Sequence, residues 1–260
     1  MDTTLIHSIA RMIDHALLHP TLTDAELRAG CALALRYEVA SVCVKPYAIP
    51  LAADLLAGSD VRVGTVIGFP HGSNATIIKV AETVQACRDG AVEIDMVVNV
   101  GKVLSEDWTY VEAEIRTIHE TCRANGAILK VIFENDFLTN NQSKIGLCTI
   151  CSAVGVEFVK TSTGFGFVKD ADGTYNTVGA TLADLQLMLD HVSPAVGVKA
   201  SGGIRTLNDL LTVREMGVTR VGTSSTAAIL DEAHRQFGEV PLSVALDEDR
   251  DVDGSRDVGY

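Results

Sequence analysis

The sequence predicts an α/β fold, a single (β/α)8 barrel. Three observations carry that expectation. Eight short runs rich in β-branched residues recur along the chain. Segments with the 3.6-residue period of helices lie between them, and glycines mark the hand-overs. Strand-helix alternation implies parallel strands joined by helical crossovers, and eight such units fit a closed barrel. A doubly wound open sheet is the alternative arrangement.

The strand runs, in order, are "RMIDHALL", "ASVCV", "VRVGTVIGF", "VEIDMVVNV", "ILKVIFE", "VEFVKTS", "AVGVKAS" and "TRVGTSS". "SNATIIKVAETVQACRDG" and "DWTYVEAEIRTIHETCRANG" show helical periodicity. Thr23 with Glu26, and Thr206 with Asp209, have the spacing of capping boxes that start helices. Gly90, Gly126, Gly155 and Gly217 stand where helices should end. No linker, fixed-period repeat or low-complexity stretch divides the body, so residues 1–246 are expected to form one barrel. Residues 247–260, "DEDRDVDGSRDVGY", carry six acidic residues and almost no large apolar side chains. That segment cannot bury a core and reads as a flexible acidic tail.

Composition narrows the function. A net charge of −13 argues against nucleic acid as a partner, though a small anionic substrate needs only a local cationic pocket. The N-terminal residues lack the basic-then-apolar pattern of a signal peptide, and no run reaches the ~18 apolar residues of a membrane span. Cysteines 31, 43, 87, 122, 148 and 151 lie mostly in apolar, helix-like segments and read as small buried hydrophobes of a reduced, cytoplasmic protein. Cys148-Thr149-Ile150-Cys151 has redox or metal-ligand spacing, but it reads as mid-helix and has no second pair. His15, His19 and His71 suggest a metal site, yet no carboxylate-rich set completes one, and no metal or other cofactor is expected.

Strand alternation selects the candidate site. Barrel lumens are usually filled by Val, Ile and Leu, with catalytic groups at the C-terminal strand ends. Here the inward positions include Lys160 with Phe158 and Val156, Lys199 with Gly197 and Ala195, Asp95 with Val97, and Lys130 with Ile132. Asp14 and Cys43 are candidates to join them. For Asp14 and Lys130 a solvated strand end or a structural ion pair is an equal alternative. Unpaired buried charges cost several kcal/mol, so three lysines and an aspartate converging on one lumen suggest function. At an ordinary lysine pKa near 10.4, only about one amine in 2,500 is free at pH 7. Lysines at matching levels of neighbouring strands, about 4.8 Å apart, each disfavour the other's charge. A free amine beside a cationic one is suited to Schiff-base chemistry on a carbonyl, with Asp95 moving protons through a water. The glycine-bearing turns "SGGIRT" and "VGTSST" follow the last two strands, the usual phosphate site of such a barrel.

At these residues the sequence resembles the deoxyribose-phosphate aldolases. The likeness runs from "IDHALLHPTLT" through "SVCVKP", "VIGFPHG", "EIDMVVNVG", "LKVIFE", "FVKTSTGFG" and "GVKASGGIRT" to "VGTSS". It implies a class I aldolase that reversibly cleaves 2-deoxy-D-ribose 5-phosphate to D-glyceraldehyde 3-phosphate and acetaldehyde. Lys160 would form the Schiff base, Lys199 would depress its pKa, and Asp95 would take part in proton transfer. Gly164, Gly202, Gly203, Arg205, Gly222, Ser224 and Ser225 would line the phosphate site. Some such aldolases end in a tyrosine that reaches the site, which makes Tyr260 a candidate, drawn in by a cationic mouth of Lys130, Lys199 and Arg205. The expected partners are a small phosphosugar and acetaldehyde, with neither nucleic acid nor membrane, and a homodimer or higher homo-oligomer is open. Three departures bear on phosphate contacts and substrate preference. "FVKDADGTYN" is longer than the expected link after Gly166, "FENDF" stands where the family tends to have Glu-Thr, and Phe165 replaces a cation found in some members. A different Schiff-base aldolase and a catalytically silent phosphosugar-binding barrel are the rival readings.

Overall fold

The computed structural model describes residues 3–169 and 171–238. Eight parallel strands form the barrel: β1 Ile13–Leu17, β2 Ser41–Val44, β3 Arg62–Ile67, β4 Glu93–Val97, β5 Ile128–Ile132, β6 Phe158–Lys160, β9 Gly197–Ser201 and β10 Arg220–Thr223. They close in the order β1-β10-β9-β6-β5-β4-β3-β2. Each predicted strand run contains one of them. Two further strands, β7 Val168–Lys169 and β8 Tyr175–Asn176, pair antiparallel as a hairpin outside the barrel.

Helices cover the outside: α2 Asp24–Arg36, α3 Ile49–Leu55, α4 Thr76–Arg88, α5 Val100–Leu104, α6 Trp108–Ala124, α7 Asn141–Val154, α8 Leu182–His191, α9 Leu207–Met216 and α10 Thr226–Phe237. Both expected capping boxes form, Thr23 with Glu26 at α2 and Thr206 with Asp209 at α9. Gly155 and Gly217 end α7 and α9 in the left-handed conformation that a side chain disfavours. A first helix, α1 Thr3–Ala10, precedes β1 and packs on α10 with Ile9 fully buried. The sequence reading did not anticipate it.

Strand alternation sorts the interior into two layers. Ile94 and Met96 of β4, Leu129 and Val131 of β5, Val159 of β6, Val198 and Ala200 of β9, and Val221 of β10 join the apolar core beneath the helices. The residues between them, Asp95, Lys130, Lys160, Lys199 and Arg220, face the lumen and are buried. The barrel is held by apolar burial outside the strands and by paired charge inside.

Cys148 and Cys151 lie in α7 as buried free thiols, and burial pushes the Cys148 thiol up to about 12. They are core side chains. The tail and Tyr260 lie outside the described residues.

Candidate active site

The site is built on lumen-facing residues of seven strands, β1, β2, β4, β5, β6, β9 and β10. β6 stops at Lys160, whose register partners are Ile132 on one side and Lys199 on the other. The two lysines therefore stand level on adjacent strands. Lys160 Nζ donates to Asp95 Oδ2 at 2.9 Å, and Lys199 Nζ donates to the same oxygen at 2.8 Å. Lys199 also donates to Asp14. Deeper in the lumen, Lys130 Nζ lies 3.0 Å from Asp14 Oδ2, 2.9 Å from Asp95 Oδ1 and 2.7 Å from Glu93 Oε2. Arg220 joins Asp14 to Glu93, and Ser41 donates to Asp14 at 2.7 Å.

The charges in this network treat the two level lysines differently. Asp14, Glu93 and Asp95 are balanced by Lys130, Lys199 and Arg220. A fourth buried cation would have no anion of its own, so the balance favours a neutral Lys160. Desolvation lowers the Lys160 pKa; Asp95 opposes that and Lys199 reinforces it. Lys199 is held above the ordinary lysine value, because Asp14 and Asp95 outweigh its own burial. Asp95 is fully buried, yet Lys130, Lys160 and Lys199 hold its carboxyl far below the usual range. The arrangement is two level lysine amines, one with a lowered and one with a raised pKa, bridged by one carboxylate oxygen.

Small residues make room for these side chains. A Cβ on Gly222 would stand 3.2 Å from Lys199 Cε, and one on Gly197 would strike the Phe158 ring at 2.6 Å. Phe158 in turn stacks under the Arg220 guanidinium, 5.2 Å from the ring centroid. Gly197 thus makes room for an aromatic floor. Ala195, expected inside the lumen, is exposed and precedes β9. Lys130, expected at a cationic mouth, is buried below it and held by three carboxylates.

Above the lysines opens a cleft. It is lined by Lys160, Lys199, Asp14 and Cys43, and by every expected phosphate-site residue: Gly164, Gly202, Gly203, Arg205, Gly222, Ser224 and Ser225. Gly202 and Gly203 are consecutive left-handed residues, φ +88° and +87°. The two nearby helix starts differ. Asp209 occupies the start of α9 by accepting from the N–H groups of Arg205 and Thr206. Ser225, the N-cap of α10, makes no side-chain capping bond, which leaves that helix start better suited to an anion. Cys43 sits with Leu18 and Val66 in an apolar wall, its thiol pushed up to about 11 mainly by burial.

The histidines serve other ends. His15 Nδ1 is 2.9 Å from the Thr226 hydroxyl, and burial lowers its pKa to about 4. His71 is exposed in the loop after β3.

The reading from sequence missed Glu93 and Arg220, although Glu93 follows from the alternation that selected Asp95, and Arg220 stands two residues before Gly222 on β10. It also missed Thr163, which lines the cleft and donates to Glu134. The long segment after Gly166 forms the β7–β8 hairpin and then packs on the glycine turn. The Ala180 N–H donates to the Gly202 carbonyl at 3.0 Å, and a Cβ on Gly179 would stand 2.7 Å from that oxygen. Asp136, from "FENDF", accepts from the N–H groups of Val178 and Gly179 at 3.0 and 2.9 Å. Two of the departures from the family pattern are therefore one structural unit.

Comparison with known proteins agrees with this geometry. A deoxyribose-phosphate aldolase of Rhodopirellula baltica is 50% identical over 238 residues, 92% of this chain and 94% of that protein. A crystal structure of a proposed deoxyribose-phosphate aldolase from Coccidioides immitis superposes with a TM-score of 0.80 at 36% identity, covering 88% of this chain and 87% of its own. The tetrameric deoxyribose phosphate aldolase of Aeropyrum pernix gives 0.77 at 27% identity, covering 89% and 92%. The sequence pattern described as DeoC/LacD family aldolase matches residues 8–227, and the chain belongs to that family.

Proposed function

We propose that this chain is a class I aldolase that reversibly cleaves 2-deoxy-D-ribose 5-phosphate to D-glyceraldehyde 3-phosphate and acetaldehyde, a step in deoxyribose phosphate catabolism. The observation that carries the reading is the pair of level lysines sharing Asp95 Oδ2.

Neutral Lys160 attacks the aldehyde carbon of the open-chain sugar. The Lys199 ammonium protonates the carbinolamine oxygen, water leaves, and an iminium forms on Lys160. Asp95 touches both amines, so it passes protons between them and then faces the iminium as its counter-ion. The C3 hydroxyl gives its proton to Asp95 through a water, the C2–C3 electron pair moves into the iminium, C3 leaves as the aldehyde carbon of D-glyceraldehyde 3-phosphate, and an enamine of acetaldehyde remains on Lys160. Protonation of the enamine carbon and hydrolysis release acetaldehyde and restore the free amine. The phosphate rests on the Gly202–Gly203 turn and the start of α10, with Gly164, Arg205, Gly222, Ser224 and Ser225 around it. The amine itself provides the electron sink, so the scheme calls for no metal.

In this reading Tyr260, at the end of the acidic tail, relays a proton to the enamine carbon. Deleting Tyr260 or making Tyr260→Phe then slows deuterium exchange at the acetaldehyde methyl group while Schiff-base formation continues. Exchange at the parent rate in both variants removes that role. The chain is taken to act in the cytoplasm as a homo-oligomer. Its six cysteines are unpaired, no helix among the described residues is long and apolar enough to cross a membrane, and a relative is tetrameric.

The test is acetaldehyde release from deoxyribose 5-phosphate with a chelator present, together with borohydride trapping of acetaldehyde. Turnover should be undiminished and a reduced two-carbon adduct should map to Lys160. An adduct on Lys199 alone, or none, overturns the assignment.

A further inference from the structure

The ion network does not end at the two level lysines. At its far end, on the floor of the lumen, Arg220 meets Glu93, and the cleavage scheme gives that pair no task. Both residues are buried, Glu93 fully. Arg220 Nη1 lies 3.1 Å from Glu93 Oε2 and Arg220 Nη2 lies 3.4 Å from Glu93 Oε1, so the guanidinium holds both carboxylate oxygens. The same guanidinium donates to Asp14. Neither Arg220 nor Glu93 lines the cleft, so neither is placed to touch substrate. Resting on the aldolase reading, we propose that Arg220 and Glu93 are positioning residues of opposite sign: from the lumen floor they fix the balance of buried charge, and that balance keeps Lys160 the free amine.

Two links carry the effect. The first is direct. Arg220 is the register partner of Lys199, and Lys199 is the register partner of Lys160. Arg220 and Lys160 are thus two strand spacings apart, about 9.6 Å between backbones. At an effective dielectric of about 20, a unit charge at that distance moves a lysine's protonation by about one pH unit. The second link runs through Lys130. Lys130 Nζ is 2.7 Å from Glu93 Oε2 and 2.9 Å from Asp95 Oδ1, so the two carboxylates share one ammonium. The other oxygen of Asp95 accepts from Lys160. Losing the charge of Glu93 gives Lys130 over to Asp95, which then attracts a second ammonium less. Losing the charge of Arg220 does the reverse, because Glu93 draws harder on Lys130 and leaves Asp95 to favour an ammonium at Lys160. Both links act with the same sign.

The other charges around Lys160 leave this control intact. Asp95 faces it from β4, Lys199 from β9 and Cys43 from β2, and Glu134, after β5, is within electrostatic reach. Burial pushes the Cys43 thiol up to about 11, so it carries no charge near neutral pH. Burial also pushes the Glu134 carboxyl up to about 7, but that group is common to every variant compared below and does not enter their differences. Lys130 and Asp14 lie beyond Asp95 and Lys199 in the same network. Arg205 lines the cleft on its exposed side, and Arg62 reaches Glu93 at 3.3 Å with its side chain 54% exposed, so water screens both. Burial disfavours charge on Arg220, yet Asp14 and Glu93 outweigh it and make Arg220 a fixed cation.

The experiment follows borohydride trapping of acetaldehyde on Lys160, and kcat/KM for deoxyribose 5-phosphate, against pH in the parent and four variants. Glu93→Gln keeps the side-chain shape and should move the acid limb of both to lower pH by about one unit, so that it traps faster than the parent on that limb. Arg220→Met should move the limb to higher pH by about as much. The double variant should return it towards the parent position, and Arg220→Lys, which keeps the charge, should leave it in place. At the alkaline end the trapping rates should converge, because Lys160 is then free in every variant. A merely structural pair would instead lower rates at every pH, with no shifts of opposite sign. If Arg220→Met does not fold, the limb of Glu93→Gln decides alone. The proposal is overturned if either folded variant keeps the parent's limb or moves it the other way. A parent chain that neither traps acetaldehyde nor cleaves deoxyribose 5-phosphate would refute the aldolase reading instead.

Discussion

Replacing Lys199 by leucine should return Lys160 to its protonated form. Both amines lie within 2.9 Å of Asp95 Oδ2, which places them no more than about 5.8 Å apart. At an effective dielectric of about 20, two unit charges at that distance repel by roughly 3 kcal/mol. Removing the repulsion favours the Lys160 ammonium by about a hundredfold. The second consequence has the same sign, because Asp95 and Asp14 lose a cation and attract another. The free amine carries the activity, so the loss is greatest at low pH and shrinks as pH rises past the new pKa. Borohydride trapping of acetaldehyde at pH 7 should slow by about two orders of magnitude and recover towards pH 10. The acid limb of kcat/KM should move alkaline by the same amount. An acid limb in the same place as the parent's would refute the reasoning, whatever happened to the absolute rate.

Four further outcomes follow from the geometry. Ser224→Glu places a negative charge at the start of α10, so KM for deoxyribose 5-phosphate should rise by at least about tenfold while unphosphorylated deoxyribose is affected less; equal losses would make the turn merely structural. Asp14→Asn leaves Lys130, Lys199 and Arg220 with one carboxylate fewer and should cost about 3–5 kcal/mol in a denaturant titration. Lys79→Met should cost a similar amount, because Glu114, 2.9 Å away and buried, loses its partner; Lys79→Met with Glu114→Leu should recover much of it. Asp136→Ala releases the Val178 and Gly179 N–H groups and loosens the segment behind Gly202, so KM should rise with little change in acetaldehyde trapping on Lys160.

Much of the fold was legible because the strand runs are short, apolar on one face and separated by capped helices. Much of the site was legible because a lysine inside an apolar strand contradicts its surroundings. Lys160, Lys199 and Asp95 stood out for that reason, and their meeting follows from strand register alone. Glu93 and Arg220 obeyed the same rule, but each lies at the start of its strand, where a charge reads as solvent-facing. Thr163 and Glu134 carried no such contradiction, since a threonine in a turn and a glutamate after a strand are ordinary. Their significance comes from burial and from each other, which no local pattern encodes. The same holds for Lys79 and Glu114, 35 residues apart on helices that meet only in the folded barrel. The coupling of Asp136 to the segment after Gly166 was hidden for a further reason: each half looked like an independent departure from a family pattern, and only the hydrogen bonds join them.

The charged lumen also specifies the barrel's register. Side chains alternate along a strand with a period of two, so a one-residue slip exchanges the two faces. A slip of β5 against its neighbours would turn Lys130 outward into the layer of Leu129 and Val131 and leave Asp14, Glu93 and Asp95 short of a cation. The same slip in β9 would bury Lys199 beneath α8 and α9. Each misplaced charge costs several kcal/mol, comparable to a large part of the whole folding free energy of a domain. An apolar lumen of Val, Ile and Leu would penalise such slips far less, because both faces would then be alike. The ion network that suppresses the charge of Lys160 thus also excludes the pairings in which Lys160 would not meet Lys199.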